Sequence, residues 1–208
     1  MPNTTNYSFP TPADTDLVKN GADAIRDLGD AVDTAMNTAL GTKKAGLVLL
    51  NTTSFSAVSS QSFNDVFSAT YTNYKIVLNI NTSSVLTNVF FRYRVSGADN
   101  STGNYYYMFN GYSHTGGAVP FTATGATQHN LGQKDGGTAM NSELNIYNPF
   151  SSTVRSNISG SMTTGNTTVF YTGAWGGAFN SATSFTGFTL IGESGTLTGT
   201  VSIYGVNK

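Results

Sequence analysis

Tyr74-Lys75-Ile76-Val77-Leu78-Asn79-Ile80-Asn81 and Val89-Phe90-Phe91-Arg92-Tyr93-Arg94-Val95-Ser96 decide the fold class. In the first, Tyr74, Ile76, Leu78 and Ile80 alternate with Lys75, Val77, Asn79 and Asn81. In the second, Val89, Phe91, Tyr93 and Val95 alternate with Phe90, Arg92, Arg94 and Ser96. A period of two with one apolar face is the mark of a half-buried β-strand. Working outward, Leu47-Val48-Leu49-Leu50 reads as a buried run, and further strands are expected over 104–112, 142–147, 154–162, 167–175, 184–191 and 197–206. Gly, Asn and Ser separate these short runs at regular intervals. The pattern predicts a mainly β protein whose bulk, 47–208, is an antiparallel, jelly-roll-like β-sandwich head.

Composition supports an ordered domain with a neutral surface. Among 208 residues only 10% are charged, 10 Lys+Arg against 11 Asp+Glu, well below the roughly 25% of an average domain. Nucleic-acid binding needs a basic field, and this chain has none. Thr, Ser, Asn and Gly make up nearly half the chain, yet 12% aromatics oppose disorder. No cysteine is present, so no disulfide or thiolate metal site is available. No apolar run approaches the ~20 residues that would span a bilayer. Nor does the start, Met1-Pro2-Asn3-Thr4-Thr5-Asn6, read as a signal peptide.

Charge divides the chain. Six of the 11 acids and four of the 10 basic residues lie in the first 44 residues, whereas all aromatics except Tyr7 and Phe9 lie beyond them. Pro2, Pro10 and Pro12 make 1–12 an extended arm, with Tyr7 and Phe9 its large apolar groups. Asp14 or Asp16 then caps a helix over 13–40. Val18, Ile25, Val32 and Ala39 recur every seven residues, and Gly21, Leu28 and Ala35 fall three places later. Such an a/d register suits self-association through Val18, Ile25, Leu28, Val32 and Ala35. A single amphipathic helix packed on its own domain is the other reading of this stripe. Asn20-Gly21 threatens the helix near its start, and 41–46 is a stop and linker.

Catalytic signatures are missing. There is no H-E-x-x-H, no phosphate-binding glycine loop and no G-x-S-x-G elbow. His114 and His129 read as loop histidines, and Lys134-Asp135-Gly136 and Asp99-Asn100 as turns. Glycoside cleavage needs two carboxylates at a set separation, which leaves Glu143 and Glu193 as the candidates for a depolymerase. The preferred reading is a non-enzyme that needs no cofactor. Tyr105-Tyr106-Tyr107 must place at least one ring outward on a strand. Tyr106, Tyr112 and Trp175, beside neutral amides and hydroxyls, are therefore the expected contacts to a sugar or protein surface.

The stretch Thr5-Asn6-Tyr7-Ser8-Phe9-Pro10-Thr11-Pro12-Ala13-Asp14-Thr15-Asp16-Leu17-Val18-Lys19-Asn20-Gly21, continuing to Ala24-Ile25-Arg26-Asp27-Leu28-Gly29 and Val32-Asp33, resembles a leader seen in tailed-bacteriophage fibre and other virion proteins. Gly46-Leu47-Val48-Leu49-Leu50, Phe63-Asn64-Asp65-Val66-Phe67, Asp99-Asn100 and Tyr204-Gly205 are similar, more loosely, to fibre tips. The resemblance implies a virion fibre or spike, usually a homotrimer, made in the host bacterial cytoplasm. Its N-terminal segment, with Tyr7 and Phe9, would attach to tail, baseplate or capsid proteins, and its β-tip would face a host glycan or protein. A capsid-decorating spike without a receptor role is the alternative within this class.

Overall fold

Asn20 and Gly21 are poor residues for a helix interior, and the helix α1 begins at them, covering Gly21–Leu40. That is later than the residue 13 expected from the sequence. The Asn20 N–H donates to the Leu17 carbonyl at 2.8 Å in a tight lead-in turn. Asp23 in the first turn suits the positive end of the helix dipole and pairs with Arg26. The computed structural model describes residues 4, 5, 7–11, 17, 20–40, 46–165 and 168–207. The expected caps Asp14 and Asp16, the heptad residue Val18 and most of the linker lie outside the described residues. Two compact units result, Met1–Ala45 and Gly46–Lys208.

The arm is not simply extended. Thr4 closes a loop on Phe9, its N–H donating to the Phe9 carbonyl at 2.9 Å and its hydroxyl accepting the Phe9 N–H. Tyr7 and Phe9 stack with ring centroids 5.6 Å apart, and Ser8 between them has φ of 54°. Proline forbids helix here, but it does not forbid a turn.

In the second unit the strands are β1 (Leu47–Val58), β2 (Ser60–Phe63), β3 (Asn73–Ser83), β4 (Thr87–Val95), β5 (Ala98–Asp99), β6 (Tyr105–Ser113), β7 (Phe121–Ala126), β8 (His129–Lys134), β9 (Met140–Tyr147), β10 (Asn157–Gly165), β11 (Phe170–Phe179), β12 (Gly187–Gly192) and β13 (Leu197–Val206). The chain is mainly β, as the alternation predicts, with 55% strand against 11% helix. One antiparallel run follows the order β1-β13-β3-β9-β10-β11-β6-β7, and a second β8-β4-β12-β2, with β5 beside β4. A single parallel bridge, Gly165 to Lys134, links β10 to β8, so the whole sheet approaches a barrel.

Between the two runs lies a core rich in aromatic rings. Tyr74, Ile76, Leu78 and Ile80 of β3 are buried, as are Val89, Phe91 and Tyr93 of β4. Phe188 of β12 stacks between Phe63 and Phe91 at 4.6 and 4.9 Å, and Tyr93 stacks on Phe185 at 4.2 Å. Fully burying each such ring stabilises the fold by roughly 1.5–3 kcal/mol. The leucine run at the start of β1 departs from expectation: Leu47, Leu49 and Leu50 are exposed. β1 is an edge strand paired only to β13, and an irregularity between Leu49 and Asn51 breaks the alternation that would turn one face inward.

β8 has no counterpart in the sequence-based assignment, because its residues His129-Asn130-Leu131-Gly132-Gln133-Lys134 are polar. A bulge shapes it. Phe90 pairs with Asn130 and Asn88 with Gln133, so Leu131 and Gly132 together face Val89. Gly132 takes φ of 109°, a left-handed conformation that glycine adopts without steric cost. The extra residue inverts the alternation beyond it, leaving Gln133 exposed and Lys134 buried.

Candidate binding surface

β6 carries its rings on both faces. Tyr105 and Phe109 point into the core, while Tyr106, Met108 and Tyr112 point out. Across the ladder the outward partners are small: Ala178 opposite Tyr106, Gly176 opposite Met108, and Thr172 opposite Tyr112. Small neighbours cannot cover large side chains, so Met108 and Tyr112 keep 62% and 64% of their surface exposed and Tyr106 keeps 37%. Tyr106, Tyr107, Met108, the segment 122–124 of β7 and the segment 176–178 of β11 line a shallow, mostly apolar groove of about 480 Å³. Tyr106 and Tyr112 are thus placed on one outward face by β6. Met108 and Gly176 opposite it complete that face, and the sequence reading missed them because their role depends on strand register.

Trp175 is not a surface residue. It is 3% exposed, stacks on Tyr107 and donates its indole N–H to the Asn130 carbonyl of β8 at 2.8 Å. The Gly176-Gly177 pair suggested a turn, but β11 runs straight through it between β10 and β6, and the pleat turns Trp175 inward. His129 also departs from the loop reading. It is fully buried beside Phe91, Tyr93, Tyr105, Tyr107 and Trp175, with ring centroids 4.9–6.1 Å away. Neither ring nitrogen has a hydrogen-bond partner, and burial pushes its pKa down to about 3. Gly177 makes this packing possible: a Cβ there would lie 2.7 Å from the Tyr106 carbonyl oxygen and 3.0 Å from His129 Cε1. His114, by contrast, sits in an exposed turn and stacks on Phe170.

Four of the five carboxylates of the β unit, all but the exposed Asp65, are tied to separate partners. Glu143 pairs with Lys75 at 2.8 Å, and Glu193 accepts a hydrogen bond from Asn88 at 2.7 Å. Asp99 is held by Arg94 and by the Thr189 hydroxyl, and so lies in the short strand β5 rather than in a free turn. Asp135 is buried and accepts the Gly137 N–H. No hydrogen bond or ion pair joins Glu143 to Glu193 among the described residues. Nor do three His, Asp or Glu side chains gather there in a way that would hold a metal. Much of the outer face of the longer run carries hydroxyls that bond across strands, as in Thr52 to Ser202 at 3.1 Å, Ser54 to Thr200 at 3.2 Å and Thr163 to Thr172 at 2.9 Å.

On α1, Ile25 is 70% exposed and Met36 54%, while Leu28, Val32 and Ala35 are half-buried and Ala24 is buried. Tyr7 is exposed at 74% and Phe9 is half-buried. Among the described residues no helix is long and apolar enough to cross a membrane. Compared with family models, curated proteins and solved structures, the chain matches none.

Proposed function

We propose that the chain is a non-enzymatic virion protein of a tailed bacteriophage, a short homotrimeric fibre or spike. Its N-terminal segment, through Tyr7 and Phe9, attaches to other virion proteins. Its segment 13–40 joins the subunits through Val18, Ile25, Leu28, Val32 and Ala35. Its jelly-roll-like head touches the host surface. The observation that carries the recognition role is the outward row Tyr106, Met108 and Tyr112 on β6, beside the Thr163–Thr172 hydroxyl pair of the neighbouring strands. Such rings bind by stacking and neutral hydrogen bonds, not by long-range attraction. The exposed Ile25 on α1 supports self-association, since a ~20-residue helix is marginal alone and gains from a partner. The leader resemblance supports the virion assignment.

Pull-down on bacterial cells tests the recognition role. Binding should persist at ~1 M salt, where the screening length is only about 3 Å, and should fall at least tenfold in Tyr106→Ala with Tyr112→Ala. Absence of binding at any salt leaves the decorating-spike reading. Release of reducing ends from surface polysaccharide would instead make the protein a depolymerase. Immunogold labelling of particles would distinguish tail from capsid.

A further inference from the structure

β8 is joined to its two flanks unequally. On one side it forms a ladder with β4. On the other it has one bridge to β10, and side chains do the rest: the Trp175 indole N–H to the Asn130 carbonyl, the Gln133 N–H to the Tyr171 hydroxyl at 3.0 Å, and the Thr164 hydroxyl to the Gln133 carbonyl. This seam is where the two runs meet. Two buried bases sit along it on the same strand. His129 has no partner for either ring nitrogen and Lys134 none for its Nζ.

The groups facing His129 are Phe91 and Tyr93 from β4, Tyr105 and Tyr107 from β6, and Trp175 and Gly177 from β11. None is a carboxylate, and burial holds the phenols of Tyr93 and Tyr105 neutral by raising their pKa. Beyond this box, Arg92 holds Gln128 and the Thr127 carbonyl and pairs with Asp99, which is held in turn by Arg94 and the Thr189 hydroxyl, so the one carboxylate acting on Tyr105 is already matched by cations. Around Lys134 the flanking strands bring Thr87 and Gly165 opposite it, Ser83 donates to its carbonyl, and Asp135 follows it. Burial lowers the Lys134 pKa while Asp135 opposes that shift. An imidazolium in the aromatic box would have no counter-charge, and solvation outside the box would favour it strongly.

We propose that β8 is an acid-operated latch: protonation of His129 releases the β8–β11 seam and opens this end of the head while the β3–β13 side stays folded. The groove floor shares the device, because Tyr107 and Gly177 line the groove, the Tyr107 ring packs edge-on to His129, and a Cβ at Gly177 would meet the imidazole. The proposal stands whether or not the groove binds a host surface.

Amide hydrogen exchange on the full chain, expressed as protection factors, provides the test. His129 titrates near 6.5 when released and near 3 when enclosed, so the opening constant should rise about tenfold per pH unit below 6.5. Amides of 129–134 should be far less protected than those of β3 and β13 at every pH, and should lose about a hundredfold more protection between pH 6.5 and 4.5. His129→Phe, which keeps a ring in the box, should abolish that pH dependence. Equal protection of β8 and β3 would make the sheet one cooperative unit and overturn the latch. So would a pH-independent β8, or persistence of the effect in His129→Phe. Should that variant not fold, the imidazole resonance of His129 in the native chain decides: only His114 shares the spectrum, and a His129 titration near 6.5 without loss of β8 protection would refute its enclosure.

Discussion

Trp175→Phe separates a structural indole from a surface contact. The native ring is 3% exposed, stacks on Tyr107, meets His129 edge-on at 5.1 Å, and satisfies the Asn130 carbonyl. Phenylalanine keeps much of the ring packing but removes the donor, leaving a buried carbonyl unpaired at a cost of about 1–3 kcal/mol. The missing second ring leaves a void worth about 1 kcal/mol more. The sum, about 2–4 kcal/mol, is a large share of the roughly 5–15 kcal/mol that stabilises an ordinary domain. Urea unfolding followed by circular dichroism should show a midpoint lower by about 1–2 M at an unchanged slope. Because Trp175 is the single tryptophan, its emission in the native chain should also be blue-shifted and shielded from soluble quenchers. Binding to cells should survive the substitution at temperatures where the fold does. A midpoint shift under 0.3 M, about 0.5 kcal/mol, together with loss of surface binding, would refute the buried placement and restore Trp175 as a contact.

Three other outcomes follow from the same geometry. Ile25→Asp with Leu28→Asp places charges on the proposed seam, where they have no partner; light scattering should report a smaller oligomer, and an unchanged mass would assign assembly to the β-heads. The enclosed His129 makes stability pH-dependent: its contribution is complete above its released pKa of 6.5 and is lost as pH falls toward about 3, at about 1.4 kcal/mol per pH unit. Chemical unfolding at pH 7 and pH 4.5 should therefore differ by about 3 kcal/mol in the native chain and much less in His129→Phe. Gly177→Ala brings a methyl group against the Tyr106 carbonyl and the His129 ring and should cost about 1–3 kcal/mol by overpacking, read as a lower melting temperature; a neutral result would mean that β11 and β6 are free to separate there.

Alternation of apolar and polar residues in β3 and β4 was enough to establish a β protein and to name part of its core, because a pleated strand sorts neighbours onto opposite faces whatever lies beyond it. That a ring of Tyr105-Tyr106-Tyr107 turns outward was legible for the same reason: three successive tyrosines cannot all turn inward, and Tyr106 is the one that faces solvent. The Asn20-Gly21 weakness was also written locally, and the helix begins there. Trp175, His129 and Lys134 were not legible. Their burial follows from register and from contacts between distant segments: β11 running through a Gly-Gly pair, a bulge at Gly132 inverting the pleat of β8, and Gly177 making room for an imidazole. Leu47, Leu49 and Leu50 fail in the opposite direction, since hydrophobic side chains are buried only where another layer meets them, and an edge strand paired on one side leaves them in solvent. Composition and period are properties of a segment, and they decided what kind of strand each could be; enclosure is a property of neighbours far apart in the chain, and only the folded sheet decided which side chains it reached.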